Sequence, residues 1–172
     1  MKVEISNGEL LDKISILELK LLKIEDREKL VNIQKEFDEL NPLVQELFEK
    51  HDGQLQNHYL ELAKINGKLW DIEDWIRECE HEKRFDKEFV ELARSVYITN
   101  DKRSEIKKII NILTHSDFIE EKSYKNSPSP LSYQFNPLPD NLIAGVIKLL
   151  SFHCHKFQTS LLPGSVQAKV KL

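Results

Sequence analysis

Cysteine is nearly missing from this 172-residue chain, which holds two, Cys79 and Cys154, far apart and in unlike segments. A disulfide framework is thereby set aside, and reduced thiols in a cytoplasmic protein are the expectation. Glycine (5) and proline (6) are scarce, and no sustained apolar/polar alternation or hairpin dipeptide between β-branched runs occurs. A sandwich or barrel needs both, so the composition points to helix. Long apolar runs are missing too. The longest, "NLIAGVIKLLSF" at 141–152, contains Lys148 and falls short of the roughly 20 residues that span a bilayer. The opening "MKVEISNGELLDK" lacks the apolar core of a secretion signal. There is no phosphate-cradling Gly loop and no Ser/His/Asp spacing, so neither catalytic residues nor a cofactor are expected. "HCH" (153–155) offers ligand types for a metal, but no second pair stands at zinc spacing.

What is present is charge, at 31% of residues, unevenly divided. Residues 1–124 hold 20 Lys and Arg against 28 Asp and Glu, whereas 125–172 hold five Lys and one acid, Asp140. An acidic body argues against nucleic acid, whose binding rests on neutralising phosphates.

Helical periodicity organises the body. Ser6 precedes Glu9 by three residues, as a capping box requires. Leu10, Ile14, Leu17, Leu21 and Ile24 then recur at helical spacing. Around "EDREK" (25–29) the stripe shifts to Leu30, Ile33, Phe37 and Leu40, and "LNPL" reads as a stop, with Pro42 in the first turn of a short helix over Leu43–Lys50. Another helix follows "HDGQ" with Leu55, Leu62, Ile65, Leu69, Ile72 and Ile76. A last one, capped by Asp86, runs from Phe89 to about Leu113. The expectation is all-α: a bundle of three long antiparallel helices with a fourth short one, over residues 1–124. Four prolines between Pro128 and Pro139 open an irregular, Pro-rich tail over 125–172.

Polar residues interrupt these apolar stripes. Asn66, Glu73 and Arg77 fall on or beside the face set by Leu62, Leu69 and Ile76. Asn100 and Arg103 extend the face of Phe89, Leu92 and Val96, and Lys13 lies beside Leu10, Ile14 and Leu17. Buried charges need partners, water or a ligand. Glu73 with Arg103, Arg77 with Asp101, and Lys13 with either acid are the available pairings. Three readings stand side by side. In one the last helix breaks near Thr99–Asn100 and these residues face solvent. In the others the cluster sets helix register and nothing more, or its cations, Lys13, Arg77, Arg94 and Arg103, surround a site for a phosphate or carboxylate.

"GELLDKISILELK" (8–20), "INGKLWDIEDWIR" (65–77), "FVELARSVYITNDKRSEIKKIIN" (89–111) and "SDFIEEKSY" (116–124) together resemble an uncharacterised family of short helical bacterial and phage proteins. Some of its members occur with glycosyltransferase and surface-polysaccharide proteins, which implies a sugar-linked ligand or a glycosyltransferase-type partner. The resemblance adds Asp74, Asp101, Lys122 and Tyr124 to the candidate ligand residues. A looser likeness to all-helical chorismate mutases founders on Lys13, where those have Arg, and on "ISILE" (14–18), where they have Ile-Asp-x-x-Asp. The expected function is a cytoplasmic, non-catalytic module that binds a sugar phosphate or nucleotide sugar. The alternative is a structural or homo-oligomerising helical module, and an electrostatic enzyme comes third.

Overall fold

The computed structural model describes residues 2–51 and 53–123. Four helices cover most of them: α1 (Asn7–Lys23), α2 (Arg27–Lys50), α3 (Gln54–His81) and α4 (Lys87–Leu113). No strand occurs among the described residues, and the all-α expectation holds. Tyr124 and the tail at 125–172 lie outside them.

The caps explain the helix starts. Ser6 accepts the Glu9 N–H, Asp26 accepts from Glu28 and Lys29, and Asp86 accepts from Glu88 and Phe89. Each satisfies donors that the first turn leaves orphaned, typically for about 1 kcal/mol. Gly53 precedes α3 with φ +75°, a conformation that costs glycine nothing.

The helix boundaries differ from the sequence expectation at Pro42. "LNPL" does not stop the chain; α2 passes through Pro42 and ends at Lys50, so Leu43–Lys50 is its last third. The helix expected to run on through "EDREK" is instead broken there, with Ile24 extended at the end of α1 and Asp26 capping α2, so the described residues form four long helices. Pro42 and Asp38, whose carbonyl loses its usual N–H donor, are both exposed, which keeps the lost bond from being a buried one. Beyond the proline, Val44 and Leu47 are buried and hold the helix in place. Pro42→Ala should therefore stabilise the protein by about 1–2 kcal/mol, read as a raised urea midpoint with unchanged slope.

α1 is the central element and touches each of the other three helices. Its burial runs almost all round: Leu10, Leu11, Asp12, Ile14, Ser15, Leu17 and Leu19. A helix covered on every side has no polar face, so its polar side chains must find protein partners. Leu11, Ile14 and Leu17 meet a core shared with Leu55, Leu62, Ile72 and Ile110, all nearly inaccessible. Each such side chain contributes about 1.5–3 kcal/mol of burial. α3 and α4 form a hairpin through a short connection, and α1 runs antiparallel to α4. The second relation shows in successive contacts: Gly8 with Asn111, Glu9 with Lys107, Asp12 with Arg103.

Candidate functional site

The seam between α1 and α4 is polar along its length. Gly8 sits so close to α4 that a methyl group there would lie 2.6 Å from the Lys107 carbonyl and 2.7 Å from Asn111 Oδ1. That proximity lets the Gly8 N–H donate to Asn111 Oδ1 at 2.6 Å, while the Asn7 N–H donates to Ser116 Oγ. The first-turn donors of α1 are thus satisfied by side chains of Ser6, Asn111 and Ser116. Glu9 does not complete the expected capping box. Its carboxylate reaches Lys107, which also meets Glu120 at 3.0 Å. Burial alone would lower the Lys107 pKa; the two carboxylates outweigh it and leave it raised.

One turn further along, Asp12 is 2% exposed and forms the hub of the buried polar cluster. Arg103 grips it with both arms, Nε to Oδ1 at 2.8 Å and Nη2 to Oδ2 at 2.5 Å. Asn66 donates from Nδ2 to Asp12 Oδ1 at 2.9 Å and to Ser15 Oγ at 2.8 Å. Three helices therefore meet at one carboxylate. The hydrogen bonds that Arg103 donates to Asp12 raise its pKa further, against the opposing effect of burial.

Beside this hub lies an open cleft of about 370 Å³. Ile16 and Leu19 of α1 form one wall, and Leu69 and Trp70 of α3 continue the apolar surface. Asn66, Asn100 and Arg103 make the polar end, while Glu73, Asp74 and Arg77 line the cleft further along α3. Asp12 takes the side edge of the Arg103 guanidinium, and Asn100 Oδ1 accepts a long contact from Nη1 at 3.4 Å. A guanidinium carries five N–H donors, so two are left without partners among the described residues, and Arg103 itself lines the cleft. Asn66 Oδ1 and Asn100 Nδ2 add an acceptor and a donor without partners among the described residues. Among the described residues Arg77 is held by neighbours on its own helix, Glu73 at 3.0 Å and Asp74 at 3.8 Å, and it is mostly exposed. Exposed pairs of this kind are worth well under about 1 kcal/mol, so Arg77 can exchange partners at little cost.

The cleft thus gathers Asn66, Glu73, Asp74, Arg77, Asn100 and Arg103 from the candidates named by sequence. The others stand elsewhere. Lys13 pairs with Glu36 of α2 at 2.8 Å, because its position on α1 turns it towards that helix. Arg94 pairs with Glu91 one turn back on α4. Asp101 faces Lys122 at 3.9 Å, and Lys122 donates to the Asn100 carbonyl at 3.2 Å. The pairings expected from sequence are corrected accordingly: Arg103 meets Asp12, not Glu73, and Arg77 meets Glu73 and Asp74, not Asp101. The sequence reading missed Asp12, Ser15, Glu9, Lys107 and Glu120. The "FIEEK" segment is laid back along α4 by Glu120 on Ser104 and Lys107, Glu121 on Lys108, and Lys122 on Asn100.

Among the described residues, no group of three or more His, Cys, Asp or Glu side chains is placed to hold a metal ion. No described helix is long and apolar enough to cross a membrane. The "HCH" stretch lies outside the described residues. No curated protein and no solved structure matches the chain. A family model does, over residues 1–140, which takes in the four motifs and the first part of the Pro-rich segment. The chain belongs to DUF6165, a family of unknown function.

Proposed function

We propose that the protein is a non-catalytic cytoplasmic binding module, and that the cleft between α1, α3 and α4 receives a small molecule carrying an anionic group. The observation that carries this reading is Arg103. Asp12 fixes the guanidinium through two of its five N–H donors, and Arg103 lines a cleft large enough for a sugar-sized ligand. An arginine so held loses little freedom on binding and offers two parallel donors to a phosphate or carboxylate oxygen pair. Asn66 and Asn100 orient the ligand by hydrogen bonds, and Arg77 swings from Glu73 to the anion. Trp70 and Leu69 supply a flat apolar surface for a ring. The likeness to proteins found beside surface-glycan enzymes makes sugar phosphates and nucleotide sugars the first ligands to try.

A second reading rests on a different observation. Arg77, Arg94, Arg103, Lys13 and Lys107 each have an acidic partner within 4 Å, as a register-setting cluster in a structural module requires.

Thermal unfolding of the full chain separates the two. Inorganic phosphate, glucose 6-phosphate, a uridine diphosphate sugar and a short dicarboxylate are compared at matched ionic strength. A ligand at 100 times its Kd stabilises by about 2.7 kcal/mol, which raises Tm by several degrees. Arg77→Met should remove that rise while leaving the unliganded Tm within about 1–2 °C, since the side chain is 68% exposed. A flat response to the whole panel leaves the structural module as the account.

A further inference from the structure

We infer that the ligand of this cleft is a zwitterion, with an ammonium group as well as an anionic one; the inference rests on the binding reading above and narrows it. The charges around the cleft do not favour a plain anion. Two carboxylates, Glu73 and Asp74, and two guanidiniums, Arg77 and Arg103, line it. Asp12, bonded to Arg103, adds a third carboxylate, so acids outnumber bases by one. A multiply charged anion entering here meets a field of its own sign, only partly screened by solvent.

The arrangement along the cleft is dipolar. Asn66 stands level with Arg103 through their shared partner Asp12. Glu73 lies seven residues further along α3, about 10 Å at 1.5 Å per residue. Donors of Arg103 and Asn100 therefore occupy one end, and a carboxylate pair with a single cation, Arg77, occupies the other. Two ionised carboxylates accept far more hydrogen bonds than one guanidinium supplies to them. Between the ends run Ile16, Leu19, Leu69 and Trp70. The matching molecule has a phosphate or carboxylate at one end, an ammonium at the other, and a ring or apolar spacer in the middle. The ammonium displaces Arg77 from one carboxylate, and Arg77 keeps the other.

Two matched pairs of probes test this by calorimetric titration of the full chain: glucosamine 6-phosphate against glucose 6-phosphate, and 6-aminohexanoate against hexanoate. The aminated member of at least one pair should bind ten times tighter or better than its partner. The double variant Glu73→Gln/Asp74→Asn should abolish that preference. Both side chains are at least half exposed, so the variant should remain folded, which its circular dichroism melt checks. Equal binding of both members of each pair, weakened by Arg77→Met, overturns the zwitterion and leaves the anion site standing. Absence of binding by all four probes overturns the zwitterion and the binding reading together.

Discussion

Asp12→Asn should lower the stability of the protein by about 3–4 kcal/mol, a large loss for an isosteric change. Asp12 is the meeting point of α1, α3 and α4, and it is buried with Arg103 doubly bonded to it. Removing one partner of such a pair strands the other charge, which costs about 3–5 kcal/mol. Arg103 is about a quarter exposed, so water relieves part of that cost. Against a typical total of about 5–15 kcal/mol the loss is severe, and urea denaturation would show it as a midpoint lowered with little change in slope. The same argument makes Arg103→Met a poor probe of binding, since it strands Asp12. The double variant Asp12→Leu/Arg103→Met should be markedly more stable than either single one, because an apolar pair of similar volume removes both charges at once. Additive losses in that cycle would show that the two side chains act separately.

Gly8→Ala should cost about 3 kcal/mol or more, although helix propensity predicts the opposite sign. Alanine is favoured over glycine in a helix by about 1 kcal/mol. Here the new methyl group would sit 2.6 Å from a backbone oxygen of α4 and 3.1 Å from its Cα, and backbone atoms of a packed helix cannot swing aside. α1 must then lift from α4, which stretches the Gly8–Asn111 bond and the contacts of Glu9 and Asp12 beyond it. Overpacking alone costs about 1–3 kcal/mol, and these polar losses add to it. Thermal unfolding of the variant checks the sign directly: a Tm equal to or above the parent value would mean that the seam yields.

Much of this fold was legible in the sequence because local chemistry decided it. Ser6 and Asp86 cap the helices they were expected to cap, and α4 ends at Leu113. Asn100 does not break α4, since Asn and Arg are tolerated in a helix once partners lie across the seam. Pro42 misled because the rule against interior proline assumes a carbonyl with nowhere to turn. The spacing Phe37, Leu40, Val44, Leu47 runs unbroken across it, and that continuity was the better signal. Asp12 was invisible for another reason. A stripe read from Leu10, Ile14 and Leu17 defines one face, and Asp12 lies off it. Leu11 and Leu19 are apolar on other faces of the same helix, which implies cover on every side and hence a buried Asp12 and Ser15. Which acid would meet which arginine depends on how three helices cross, and single-helix periodicity carries no such information.

The cleft beside Arg103 is proposed as a binding site and not a mere seam between helices. Nuclear magnetic resonance of the full chain, titrated with glucosamine 6-phosphate, tests it most directly. Ligand in the cleft should give saturable shifts confined to the Trp70 indole N–H, the side-chain amides of Asn66 and Asn100, and the guanidinium signals of Arg77 and Arg103. The α1–α4 seam around Gly8 and Asn111 should stay unmoved. Shifts scattered over surface lysines, or none at the cleft up to millimolar ligand, would contradict it.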